Sequence, residues 1–261
     1  MIRITRDAIL ETIVTDLRTE DYILAVWLEG SDGTKSVDEH SDIDLVCYVT
    51  EWRIDDAISR FDISLKRLGE LDMAYEEPGK PANNRYKVYH LQETLESLLI
   101  DVTFQSESFP VSFLHEDKTV VPIVLVDKAG VVKFGSVDVE TYGAQLREQL
   151  SHARGMYSQR SRAVKYTKRG LFLESLIYYQ KFVLHPLVEV LRVVHTPFQA
   201  DCFLVHATRD FPDDVATELE HLYGVKTVQD IAERIDLAHT IFEKAIDEAE
   251  KLLSTPAFVN L

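Results

Sequence analysis

Four stretches of this 261-residue chain carry side chains suited to chemistry. Gly30-Ser31 is followed, after ten intervening residues, by Asp42-Ile43-Asp44. Carboxylates at i and i+2 on a strand point to one face, because strand side chains alternate with period two, and that face can chelate a divalent cation. A Gly-Ser at the end of the preceding strand lets backbone approach closely and offers N–H groups and a hydroxyl to phosphate oxygens. Downstream, Leu99-Ile100-Asp101-Val102 sets a lone acid inside an apolar run, which needs a reason. Completing a metal site with Asp42 and Asp44 is one reason, and a structural ion pair or cap is another. Finally, residues 151–173 hold Arg154, Arg160, Arg162, Lys165, Lys168 and Arg169 and no acid. A basic helix there suits the β- and γ-phosphates of a nucleotide, with Lys165 and Lys168 as candidates and a solvated face as the alternative. Lys181, three residues after Tyr178, joins them, unless it only snorkels from the edge of a core.

The elements that must position these residues follow from periodicity. Ile9, Leu10, Ile13, Val14 and Leu17 form one helical stripe over residues 4–19. Tyr22–Leu28 and Ile43–Val49 are short apolar runs that predict buried strands, with a polar loop between them. Residues 54–71 predict a helix with Asp55 and Asp56 at its positive end. Residues 76–84 are rich in turn formers. Arg85–Leu91 and Ser97–Phe104 predict a further strand pair that need not be parallel, and residues 120–126 and 131–134 flank a hairpin-like Asp-Lys-Ala-Gly. Beyond residue 139 the periods become helical, over residues 141–168, 171–194, 213–223 and 227–253. Pro186 should kink the second of these, and Thr227 with Asp230 resembles a capping box. The expected architecture is an α+β mixed-sheet domain over residues 1–138 and an all-α helical bundle over 139–261.

Composition narrows the class. With 28 basic and 44 acidic residues the formal charge is −16, which argues against broad nucleic-acid binding and against anionic membranes. No run approaches the ~18 apolar residues of a membrane span, and two distant cysteines, Cys47 and Cys202, indicate neither a disulfide framework nor a zinc module. A reducing, cytoplasmic setting is expected. Acidic pairs at Asp55-Asp56, Glu76-Glu77 and Asp213-Asp214 would suit a cationic ligand, as well as being ordinary solvated surface. Arg147 and His152 match the Arg-x4-His spacing of helical ribonuclease domains, a short pattern that two polar residues on an amphipathic helix also produce.

Gly30-Ser31 followed by Ser41-Asp42-Ile43-Asp44 resembles the signature of the DNA polymerase β-like nucleotidyltransferase superfamily. Within it, the chain length, the later Asp101 and the helical second half look most like the bacterial aminoglycoside and lincosamide nucleotidyltransferases. Glu29 departs from the pattern, where the family often has an apolar or aromatic residue or His. The resemblance implies that Asp42 and Asp44 bind Mg²⁺, that Gly30 and Ser31 hold the phosphates of ATP or another nucleoside triphosphate, and that Asp101 is a metal ligand or the base. It implies transfer of a nucleoside monophosphate to a hydroxyl of a small molecule, with pyrophosphate leaving. The implied partners are that acceptor and the nucleotide, with the chain a monomer or homodimer. The alternatives are a toxin-type enzyme acting on protein or RNA and a non-catalytic nucleotide-binding, antitoxin-like module.

Overall fold

Thr5 opens the first helix by accepting a hydrogen bond from the Ala8 N–H, and Ile9, Ile13 and Leu17 of that helix, α1 (Arg6–Arg18), are buried. The computed structural model describes residues 4–255. Two compact units, Met1–Ser136 and Val137–Leu261, divide the chain. After α1 the first contains β1 (Ile23–Leu28), α2 (Gly30–Thr34), β2 (Ile43–Val49), α3 (Ile54–Leu68), β3 (Leu71–Glu76), β4 (Asn84–Leu91), β5 (Ile100–Ser106), β6 (Phe113–Leu114), β7 (Ile123–Asp127) and β8 (Phe134–Gly135). The second contains α4 (Val139–Tyr157), α5 (Ser161–Thr167), α6 (Phe172–Tyr179), α7 (His185–His195), α8 (Ala207–Asp210), α9 (Asp213–Tyr223) and α10 (Val228–Leu253). The architecture is therefore a mixed α+β unit followed by a helical one.

The main sheet has the order β3-β4-β5-β2-β1-β7. Its one parallel pair is β2 with β5, and the other four pairs are antiparallel. Alternation assigns the faces. Ile43, Leu45, Cys47 and Val49 of β2, with Ile100, Val102 and Phe104 of β5, pack in one core with α1 and α3. Val46 and Tyr48 lie on the other face, beside Trp27 and Phe113. Asp44 and Asp101 share that second face, away from the two helices.

In the first unit three expectations are corrected. The polar loop after β1 contains α2. The helix over 54–71 stops at Leu68, where Gly69 takes the C-cap, and residues 71–76 form β3 along the free edge of β4. The hairpin does not form: β7 pairs with β1, while β8 pairs in parallel with β6 in a separate two-stranded sheet. Asp127 explains the divergence, since its carboxylate accepts the N–H groups of Val131 (3.0 Å) and Val132 (3.2 Å) and turns the chain away.

In the helical unit the expected helix over 141–168 breaks into α4 and α5 near Ser158, whose hydroxyl donates to the Gly155 carbonyl at 2.7 Å. Pro186 acts through a wider turn. Residues Gln180–Leu184 form a π-helical segment, closed by the His185 N–H on the Gln180 carbonyl, immediately before the residue that cannot donate. Thr227 and Asp230 form the expected reciprocal capping box. No described helix is long and apolar enough to cross a membrane.

Arg192 of α7 is fully buried and clamps the segment that follows it. It donates to the Phe203 carbonyl (2.8 Å) and Thr196 Oγ1 (3.1 Å) and pairs with Asp210 at 3.1 Å. Removing a buried cation strands its partners, so Arg192→Met is expected to cost about 3 kcal/mol. Urea unfolding followed by far-ultraviolet circular dichroism checks this; a variant as stable as the parent would show that the clamp holds nothing.

Candidate active site

The acidic cluster is assembled by register. Asp44 of β2 lies directly beside Asp101 of β5 in the parallel pairing, and Asp42 precedes β2 by one residue. One carboxylate oxygen from each of the three lies within 4.8 Å of the other two, and all three side chains are half-buried. Such spacing matches ligands gathered round one cation. Oxygen donors without nitrogen or sulfur suit a hard ion such as Mg²⁺.

Gly30 and Ser31 stand against this cluster. Gly30 has φ +57°, in the left-handed region, and a Cβ there would overlap the Asp44 carboxylate. Only glycine satisfies both demands. The Ser31 hydroxyl oxygen is buried with no hydrogen-bond partner, an unmet polar group of the kind a bound ligand satisfies. α2 is itself pressed close to the chain ahead of β7, since a Cβ on Gly33 would meet the Val121 carbonyl.

Electrostatics report the crowding. Burial, then the charges of Asp42, Asp101, Glu29 and Asp32, push the Asp44 carboxyl up to about 6. Burial and Asp42 also raise Asp101, against the pull of a hydrogen bond donated by the Tyr86 hydroxyl. A divalent cation would relieve this repulsion, so the residues present fit one.

Several contributors escape sequence reasoning. Tyr86 of β4 sits opposite Thr103, one diagonal step from Asp101 on the same face, and its phenol donates to Asp101 Oδ1. Arg6 pairs with Asp32 and donates to the Asp42 carbonyl at 3.4 Å, pinning α2 and the start of β2 to α1. Glu29 has a structural explanation: its carboxylate accepts the N–H of Trp27, an indole only 1% exposed, at 2.7 Å. No spacing rule links Tyr86 to Asp101, which strand register unites, or Arg6 to either, since it reaches the site from α1.

Lys165, Lys168 and Lys181 belong to the helical unit, and all three are exposed. Tyr166 stacks on Tyr178 at 5.0 Å between centroids, and Tyr178 on Phe182 at 5.7 Å. Lys165 lies over Tyr166 at 4.7 Å and Lys181 over Phe182 at 5.4 Å, so one aromatic ladder orders both. Lys168 caps α5. Among the described residues none of the three has an acid within ion-pair distance. Arg147 and His152 are tied into the helical unit instead, Arg147 to the Leu253 carbonyl at 3.2 Å and His152 to Glu189 at 3.5 Å.

No protein-family model matches the sequence, and no curated protein does. Among solved structures, the chain is similar to an aminoglycoside 6-adenyltransferase from Bacillus subtilis at 13% identity and a TM-score of 0.41, with 98% of this chain and 95% of that chain covered.

The raised Asp44 carboxyl sets a pH dependence. Its folded value of about 6 lies above the ordinary 3.8, so the folded state keeps the proton longer and metal-free stability falls as pH rises between those values. Asp44→Asn is expected to stabilise the metal-free protein at pH 7 by about 1 kcal/mol, after allowance for water still reaching the carboxyl, and to change little near pH 4. Urea midpoints at both pH values check it, and equal gains at both would refute the repulsion.

Proposed function

We propose that the protein is a Mg²⁺-dependent nucleotidyltransferase that moves a nucleoside monophosphate, AMP from ATP, to a hydroxyl of a small molecule of the aminoglycoside or lincosamide class. The observation that carries this reading is the convergence of Asp42, Asp44 and Asp101 within reach of one cation, beside a glycine pressed against the Asp44 carboxylate and a buried, unpartnered Ser31 hydroxyl. Asp42 and Asp44 would hold the metal. When bound, the ion neutralises charge that develops on the phosphate oxygens and the leaving pyrophosphate.

The chain's own groups divide the remaining work. The Ser31 hydroxyl and the backbone at Gly30 hold phosphate oxygens. Asp101 takes the proton of the acceptor hydroxyl as its oxygen bonds to the α-phosphorus and the bond from that phosphorus to the β-phosphate bridge breaks. Tyr86, donating to Oδ1, fixes the orientation of that carboxylate. Lys165, Lys168 and Lys181 are the candidate cations for the β- and γ-phosphates. Glu29 adds negative charge beside the cluster and favours an acceptor that carries ammonium groups, whereas Asp32 is paired with Arg6.

The test is transfer from α-labelled ATP and GTP, with Mg²⁺, to pooled aminoglycosides, pooled lincosamides, bulk tRNA and the protein itself. Label is expected on one drug pool, absent in Asp42→Ala and reduced about 10²- to 10⁴-fold in Asp101→Asn. Label on tRNA or polypeptide alone would replace the acceptor class, and no label in any pool would end the reading.

A further inference from the structure

The β2–β5 ladder that pairs Asp44 with Asp101 at one end pairs Val49 with Ser106 at the other. Five residue steps along the strand separate the two pairs, roughly 16 Å. At the far end lies a pocket of about 370 Å³ within the α+β unit, lined by Glu51, Trp52, Asp55, Asn83, Arg85 and Ser108 among others. Its volume is that of a small-molecule site.

Trp52 is 87% exposed, whereas Trp27, the chain's other tryptophan, is 1% exposed. The Trp52 backbone has φ +65°, a conformation L side chains rarely adopt, and it occupies the turn between β2 and α3. An indole so placed offers an uncovered π face at the pocket.

Beside it Glu51 is fixed by neutral donors only. Its Oε2 accepts the Ser106 hydroxyl at 3.0 Å and the Ser108 N–H at 3.2 Å. Ser106 is itself 1% exposed and Ser108 is held in turn by Asn83 at 3.1 Å, so the carboxylate rests on a built support. No cation pairs with Glu51 among the described residues. Arg85, the pocket's one cation, is spent on Asp55 and Glu76. The lining therefore keeps net negative charge next to an aromatic face.

We propose that this pocket binds a small organic cation bearing an ammonium or guanidinium group, with Trp52 as its aromatic wall and Glu51 as its counter-ion. A cation over an indole and against a fixed carboxylate gains from both contacts at once. An anion would meet the Glu51 carboxylate, which no cation opposes among the described residues. The site stands apart from the carboxylate cluster and does not depend on nucleotidyl transfer.

Trp52 supplies the readout, since acrylamide reaches it and not the buried Trp27. Spermidine and agmatine, titrated at constant ionic strength, are expected to protect Trp52 from quenching saturably, with matching heat in calorimetry. Glu51→Gln, which keeps an acceptor for Ser106 and Ser108, is expected to weaken binding about 10-fold or more. Trp52→Ala, followed by calorimetry, should weaken it about 2- to 5-fold, and Asp55→Asn in the same direction. A response that sodium chloride reproduces, or one undiminished in all three variants with unchanged circular dichroism, would overturn the proposal, as would no response to either cation.

Discussion

The organising constraint is the repulsion among carboxylates set side by side by the single parallel strand pair of the sheet. β2 and β5 run in register, so Asp44 and Asp101 are neighbours, and Asp42 adds a third charge at the strand's entry. A folded chain that left these groups bare would stay destabilised at neutral pH, as the elevated Asp44 carboxyl records. Much of the surrounding structure accommodates this cluster: Gly30 lacks the side chain that would collide with it, Tyr86 orients Asp101, and Arg6 anchors the two segments that flank it.

The sheet separates stability from chemistry by face. One face is closed by α1 and α3 over a continuous apolar core, with Phe61 against Phe104 and Tyr89. The other carries the acids at one end of the β2–β5 ladder and Trp27, Val46 and Tyr48 nearby. Ser106 and Glu51, at the opposite end of the same ladder, form a second polar surface on equally rigid support. Asp44, Asp101 and Ser106, which lie on the strands themselves, are positioned by the ladder rather than by loop conformation.

The helical unit solves a different problem, how to order long side chains. Stacked Tyr166, Tyr178 and Phe182 hold Lys165 and Lys181 over their faces, and among the described residues no acid neutralises them. The π segment before Pro186 belongs to the same device, because it sets the turn from which Lys181 and Phe182 project. In a chain with 44 acidic and 28 basic residues, unneutralised cations in one segment are a concentrated electrostatic feature.

Local rules made a good part of this legible. Helix periodicity and capping residues located α1, α9 and α10, apolar runs located β1 and β2, and the i, i+2 spacing of Asp42 and Asp44 announced a shared face, because each of these depends on neighbours in the chain. Asp101 stood out as an acid in an apolar strand, though nothing local tied it to Asp44. What only tertiary structure decided is the register: which strand lies beside β2, that it runs parallel, that Tyr86 reaches Asp101, and that Glu29 serves Trp27. The same holds for β3, which becomes strand by pairing with β4, and for β7, which pairs with β1 while Asp127 turns the following residues away. Register depends on how the apolar faces of segments far apart in the chain meet, which no spacing within either segment encodes by itself.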